Sequence, residues 1–208
     1  MKTAKTIEKK AAVAVMVSGG GTNLQALIDA QRSGILHSGE IRLVISNKAD
    51  AYALTRAETA GIPTKVILKK EYPGREEFED ALIAALDGAG IDLIILAGFM
   101  AILSEKFTSH FERRIINVHP SLIPSFCGEG FYGLRVHEAA LSKGVKVTGA
   151  TVHFVNEVPD GGEIIAQKAV KILKNDTPET LQKRVMRLAE WKILPEAAEQ
   201  VCREMVKK

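Results

Sequence analysis

Seven consecutive apolar residues, Ala11 to Val17, run straight into Ser18-Gly19-Gly20-Gly21-Thr22-Asn23, and Asn23-Leu24-Gln25-Ala26-Leu27-Ile28 then opens an amphipathic stretch that stops near Ser33-Gly34. An unbroken apolar run of this kind suits a strand covered on both faces, and the switch to helical periodicity across glycines marks a strand–turn–helix unit. Such a unit forces its neighbours: a strand with two buried faces needs a sheet around it and helices on both sides of that sheet.

The rest of the chain supplies them. Apolar strand signals recur at Arg42–Ser46, Lys65–Leu68, Asp92–Ala97 and from Ile115, separated by helical stretches ending at Ala60-Gly61 and covering about Arg75 to Leu86. Asp92–Ala97 is the most apolar and is expected at the centre. Alternation of strand and helix predicts parallel pairing with right-handed crossovers. The tail departs from this rhythm. Val147–Val155 and Glu163–Lys171 read as two strands joined by Asn156-Glu157-Val158-Pro159-Asp160-Gly161-Gly162, an antiparallel hairpin with a long loop. Thr177 and Pro178 announce a terminal helix as N-cap and first-turn residue, with Pro195 expected to interrupt it or end its first segment. The predicted fold class is therefore α/β: a single-domain, doubly wound, mostly parallel sheet with a C-terminal antiparallel hairpin and terminal helix. Residues 1–11 are expected to form an N-terminal tail and 12–208 the folded domain.

Bulk properties exclude several classes of function. Of 208 residues, 46% are hydrophobic and 25% charged, enough for one sizeable core. The net charge of +3 gathers at the ends, in Lys2, Lys5, Lys9, Lys10, Lys207 and Lys208. No interior basic stripe interleaves with aromatics, so nucleic acid is not an expected partner. No apolar run reaches the roughly 20 residues that span a bilayer. The front end is charged and lacks an apolar signal core, so a cytoplasmic protein is expected. Cys127 and Cys202 form neither a disulfide framework nor a metal spacing, and no metal is expected.

The glycine loop is the first chemical feature. Glycines let the backbone approach a ligand closely, and the following helix N-terminus offers unpaired N–H groups to an anion. No Gly-Lys-Ser/Thr closes a Walker A loop, and Leu24 stands where a dinucleotide fingerprint needs its third glycine. The second strand ends in Ser46-Asn47 rather than in a ribose-holding acid. One phosphate, rather than a pyrophosphate, is the expected guest.

The second feature is Asn117-Val118-His119-Pro120-Ser121-Leu122-Ile123-Pro124, directly after Arg114-Ile115-Ile116. Alternation along a strand puts Asn117 and His119 on one side and Val118 on the other. An amide and an imidazole at the carboxyl end of a strand lie where open α/β sheets bind ligands. Both can donate to one developing oxyanion, which points to acyl chemistry. Asp160, on a glycine-flexed loop, completes the set, since a carboxylate near His119 favours its charged form. Cys127 lacks a base at fixed spacing and reads as an inert thiol; His153 reads as a buried supporting residue, and His37 and His110 as surface groups.

Together these segments resemble the phosphoribosylglycinamide formyltransferase family, folate-dependent enzymes of purine synthesis. The resemblance is carried by Val17–Gln25, Ile45-Ser46-Asn47, Leu96–Met100, Ile116–Pro124, Thr151–Val155 and Asp160-Gly161-Gly162, in family order. His-Pro-Ser-Leu-Ile-Pro belongs to the wider formyltransferase superfamily, and Ser-Gly-Gly-Gly-Thr-Asn narrows the match. The resemblance implies the formyltransferase fold, 10-formyltetrahydrofolate as co-substrate and glycinamide ribonucleotide as acceptor, in a monomer or homodimer. It implies that Asn117, His119 and Asp160 are catalytic and that Gly21, Thr22, Asn23 and Glu190 hold the ribonucleotide. It assigns the folate to Arg75, to Met100, Ala101, Ile102 and Leu103, and to Asn117, Asn156, Glu157, Val158, Pro159 and Asp160.

On that resemblance the acceptor's amine attacks the formyl carbon, Asn117 and protonated His119 stabilise the oxyanion, and Asp160 keeps His119 charged and orders a proton-carrying water. Alternatives stay open: a formyltetrahydrofolate hydrolase, which in that superfamily carries an extra N-terminal domain, a methionyl-tRNA formyltransferase, which carries a C-terminal one, or a non-catalytic phosphate-sugar binding module. The chain also departs from the family pattern. It starts about ten residues early, Cys127–Gly133 is longer than in the shortest relatives, and Trp191 follows Glu190 where many relatives carry His.

Overall fold

The computed structural model describes residues 9–207. Most of the predicted N-terminal tail therefore lies outside the described residues. Strands β1 (Ala11–Val17), β2 (Gly39–Ser46), β3 (Thr64–Val66), β4 (Leu93–Leu96), β5 (Ile115–His119), β6 (Val147–Phe154) and β7 (Ile164–Lys171) form one sheet in the order β3-β2-β1-β4-β5-β6-β7. β1 to β5 pair in parallel, whereas β6 and β7 run antiparallel. β4 is the middle strand, as its apolar content predicts.

The alternation of β1 explains the two layers. Ala11, Val13, Val15 and Val17 pack into one apolar cluster with Leu24, Leu27 and Ile28 of helix α1 (Thr22–Ser33), Ala53 and Ala57 of α2 (Tyr52–Thr59), and residues of α6 (Pro178–Val185) and α7 (Trp191–Val206). Ala12, Ala14 and Met16 face the other cluster, with Phe78 and Leu82 of α3 (Arg75–Gly88) and Phe107 of α4 (Glu105–His110). Helix α5 (Leu134–Lys143) leads into the antiparallel strands. Every residue of β1 is buried, which is why it carries no polar alternation.

Three boundaries differ from the sequence expectation. β2 starts at Gly39 rather than Arg42, because Glu40 and Arg42 are exposed, pair with each other, and mask the apolar pattern. β3 is confined to Thr64–Val66 at the sheet edge, with Ile67 adding one backbone bond to Ser46. Pro195 does not break the terminal helix. The irregularity lies earlier, in a π-turn over Met186–Glu190, and Pro195 sits buried near the start of α7, where its missing N–H removes a single bond. Thr177 caps α6 as expected, accepting from the Thr180 backbone N–H.

The strand order places the site. The chain winds outward from β1 to β2 and β3, then returns to lay β4 on the opposite side of β1. Loops leaving β1 and β4 diverge there, opening a crevice at the carboxyl ends of the strands. The glycine loop and the Gly98–Leu103 segment leave at this switch point, with β5 next in order.

Candidate active site

Asn117 and His119 stand at the carboxyl end of β5 on the side shared with Ile115, while Ile116 and Val118 pack into the opposite cluster. Antiparallel pairing sets His153 of β6 directly across from Asn117, and Thr151 across from His119. The loop after β6 folds back so that Asp160 reaches both rings. Asp160 Oδ2 lies 3.4 Å from His119 Nδ1, and Oδ1 lies 3.5 Å from His153 Nε2. Asp160 adopts a left-handed backbone, φ 56°, which a non-glycine residue takes only under surrounding constraint. The constraint is visible at Gly162, where a Cβ would stand 1.9 Å from the Phe154 carbonyl oxygen, so only glycine lets the loop lie against β6.

A second loop covers the histidine. His119 Nε2 donates to the Phe126 carbonyl at 2.9 Å, and the Gly128 N–H donates to Asp160 Oδ2 at 2.8 Å. Residues of the Leu122–Gly133 stretch thus hold both members of the His119–Asp160 pair. Desolvation pulls the His119 pKa below its ordinary value, against the opposing pull of Asp160 and the Phe126 carbonyl. This departs from the sequence expectation that Asp160 keeps His119 charged: burial outweighs the carboxylate. For Asp160, burial raises the pKa, but the Gly128 N–H it accepts and the nearness of His119 and His153 together bring it below the usual carboxylate value.

Around these groups lies a cleft of about 650 Å³. Met100, Ala101, Ile102, Leu103, Asn117, Asn156, Glu157, Val158, Pro159 and Asp160, the residues assigned to folate apart from Arg75, all line it, together with His119 and His153. Its rim exposes Met100, Ile102, Tyr132 and Val158, so a large apolar ligand face would find contact there. Arg75 stands behind the wall rather than in it. Its guanidinium donates to the Ile102 carbonyl at 2.9 Å and to the buried Glu79 at 3.0 Å. Glu79 also accepts from the Ser104 backbone N–H and hydroxyl, so one buried carboxylate fixes both Arg75 and the Ile102–Ser104 turn.

The glycine loop does not line that cleft. It is tied to it by Ser18, whose hydroxyl donates to Asn47 Oδ1 and accepts the Met100 N–H at 2.8 Å. Helix α2 grips the loop by its carbonyls: the Ala53 N–H bonds Gly19 O at 3.0 Å, and Arg56 Nε donates to Gly20 O at 2.8 Å. Gly21, φ 69°, leaves no room for a side chain, since a Cβ would meet that of Ala53 at 2.6 Å. Carbonyls held from behind leave the N–H groups at the start of α1 for an anion.

Asn23 and Glu190 meet at this end. Asn23 Nδ2 donates to Glu190 Oε2 at 2.7 Å, and the π-turn brings Glu190 inside, where burial pushes its carboxyl up to about 7. Asn23 Oδ1 is buried with no partner among the described residues. A carboxyl and a spare amide oxygen side by side form a site for hydroxyl donors. Thr22 and Trp191 face a separate groove of about 510 Å³ between α1 and α7.

Several contributors were not visible in the sequence. Glu79 belongs to an acidic helix segment that reads as a solvated face, and Arg56 carries no sequence signal; only the fold turns them onto the loops. Gly128–Gly133 join the cleft wall through loop packing alone. Cys127 is partly exposed, with its thiol pushed up by burial and by Asp160, in keeping with an inert group. His37 and His110 pair with Glu199 and Asp87 at the surface. His137 is fully buried with both ring nitrogens unpartnered among the described residues. Among those residues no cluster of metal-ligating side chains occurs, and no helix is long and apolar enough to cross a membrane.

The chain is similar to several known proteins. The Formyl transferase family matches residues 11–198. The trifunctional purine biosynthetic protein adenosine-3 of Homo sapiens is 50% identical over 194 residues, covering 93% of this chain but 18% of that protein. The phosphoribosylglycinamide formyltransferase of Haemophilus influenzae is 45% identical over 183 residues, covering 88% of this chain and 83% of its own length. Among solved structures, a phosphoribosylglycinamide formyltransferase from Brucella melitensis superposes with a TM-score of 0.85 at 44% identity, covering 93% of this chain and 96% of that one.

Proposed function

The chain belongs to the formyl transferase family, and from that premise we propose that it transfers the formyl group of 10-formyltetrahydrofolate to the amine of glycinamide ribonucleotide, giving N-formylglycinamide ribonucleotide and tetrahydrofolate. The observation that carries this reading is the convergence of Asn117, His119 and Asp160 on one wall of an apolar-rimmed cleft, joined through Ser18 to a glycine loop built for an anion.

Each part has a chemical task. The cleft takes the folate, its ring system against Met100–Leu103 and the 156–160 loop. The loop N–H groups from Gly21 to Asn23 take the phosphate, with Arg56 adding positive charge. Glu190 and the spare oxygen of Asn23 accept from ribose hydroxyls. The free amine attacks the formyl carbon, and the carbonyl oxygen gains negative charge as the tetrahedral centre forms. Asn117 Nδ2 and a ring N–H of His119 donate to that oxygen, which requires His119 to exchange Phe126 for substrate. Asp160 faces Nδ1 of the same ring, so the oxyanion and the carboxylate together stabilise the imidazolium against the desolvation that opposes it. The amine's proton leaves through a water at Asp160 and reaches the departing folate nitrogen. No covalent intermediate is needed.

The test is direct. Purified protein with both substrates should release tetrahydrofolate in step with acceptor consumed, and release should stop when glycinamide ribonucleotide is left out. Equal release without acceptor would make it a hydrolase; tight binding of both ligands without turnover would make it a binding module.

A further inference from the structure

We propose that His153 is a positioning residue that sets the orientation of the Asn117 amide, so that this amide presents an N–H, rather than its carbonyl oxygen, to the reacting centre. The inference rests on the role given to Asn117 above and adds the group that makes that role possible.

An asparagine amide has two faces of opposite character, and nothing in its own shape selects between them. At position 117 the selection comes from across the sheet. His153 Nδ1 lies 2.7 Å from the backbone carbonyl oxygen of Phe154, a contact that only an N–H can make. The proton of the neutral ring is thereby held on Nδ1, and Nε2 is left as an acceptor. Asn117 Nδ2 lies 3.2 Å from that Nε2. The amide must therefore turn its NH₂ toward the ring; its oxygen there would face a lone pair. One N–H is consumed by His153, and the other remains on a side chain that lines the cleft.

The register makes this arrangement unavoidable. Asn117 and His153 are direct partners in the antiparallel β5–β6 ladder. The His153 side chain is 2% exposed, so water cannot substitute for either of its bonds. Among the described residues the carboxylate facing the ring is that of Asp160, whose Oδ1 is 3.5 Å from Nε2, beyond a good hydrogen bond. A proton moved onto Nε2 would be drawn to that carboxylate, and Asn117 would then turn its oxygen to the ring. The tautomer of His153 thus decides whether the oxyanion meets a donor or an acceptor.

Two measurements test this on the full chain. In the wild-type protein labelled with ¹⁵N-histidine, the resonance lost in His153→Gln should show a protonated Nδ1 and an unprotonated, hydrogen-bond-accepting Nε2. An Nε2–H or doubly protonated ring would overturn the proposal. In kinetics, His153→Phe should lower kcat about tenfold to a hundredfold, below the full cost of a lost oxyanion donor, with KM for either substrate within about twofold of wild type. His153→Gln, which keeps an acceptor, should recover part of the loss. The pair His153→Phe with Asn117→Ala should be no slower than Asn117→Ala alone, because the first change acts only through the second residue. Independent, multiplying losses would overturn it, as would wild-type kcat in His153→Phe. If the wild type itself transfers no formyl group, the functional reading fails and the resonance measurement still decides the tautomer.

Discussion

The carboxylate of Asp160 stands 3.4 Å from Nδ1 of His119, although the two residues come from a left-handed loop and from the end of a parallel strand. The contact is favourable only when Nδ1 carries a proton, and burial works against that proton. The pair is therefore poised: the imidazolium gains most when a second negative charge, the oxyanion, arrives.

Asp160→Asn tests this poise. The amide keeps the shape and can still face Gly128, but it cannot stabilise a charged ring. We expect kcat to fall at least about a hundredfold, with the KM for folate changed far less. Steady-state kinetics with both substrates varied checks it; a change confined to KM would show that Asp160 serves binding.

At the other end of the site, Glu190→Gln should raise the KM for glycinamide ribonucleotide about tenfold, the scale of one charge-assisted hydrogen bond, and leave the KM for folate alone. The same variant carries a stability signature. The Glu190 carboxyl is raised to about 7 when folded, against an ordinary 4.5. The folded state thus binds the extra proton, and its advantage is full below about pH 4.5 and lost as pH rises through 7. Glu190→Gln should flatten that decline in thermal melts between pH 5 and 8.

Arg56 should matter for the ribonucleotide although it lies outside the folate cleft. Its Nε holds Gly20 O and one terminal nitrogen holds Gln25, fixing a cation behind the glycine loop. Arg56→Ala should raise the KM for glycinamide ribonucleotide about tenfold and weaken competition by inorganic phosphate, with the folate KM unchanged. Equal effects on both substrates would show a general loosening of the loop.

His137 predicts an acid sensitivity. Burial, with a smaller contribution from nearby His119, lowers its pKa to about 4 from 6.5, and neither ring nitrogen has a hydrogen-bond partner among the described residues. Unfolding lets it protonate, so stability is full above about pH 6.5 and falls on the order of 3 kcal/mol toward pH 4. The depressed pKa of His119 adds in the same direction. His137→Leu, which removes both unpaired nitrogens, should shrink the drop in melting temperature between pH 7 and 5; an unchanged drop would place its origin elsewhere.

Legibility of the sequence followed the physics of each element. Buried parallel strands such as Ala11–Val17 are continuous apolar runs, so the parallel core was readable, as was the Thr177–Pro178 helix start. The start of β2 was not, because Glu40 and Arg42 hide an edge-exposed segment. Pro195 misleads because proline signals a break by its own chemistry, while the π-turn at Met186–Glu190 is a packing outcome with no residue signature. Side-chain alternation put Asn117 and His119 on one face, and motif order added Asp160. What a linear pattern could not show was the strap from Phe126 to Gly128 that buries His119 and reverses the direction of its pKa. Nor could it show Glu79 bracing Arg75, because solvated and buried carboxylates on a helix look alike in sequence.

The most direct measurement of the central claim is the single-turnover rate of formyl transfer by His119→Ala and His119→Gln, with both substrates saturating and the fold confirmed by thermal melting. If a ring donor backed by Asp160 stabilises the oxyanion, both variants should bind the substrates near wild-type affinity and transfer formyl about a hundredfold to a thousandfold more slowly. Transfer at the wild-type rate in either folded variant would contradict the account.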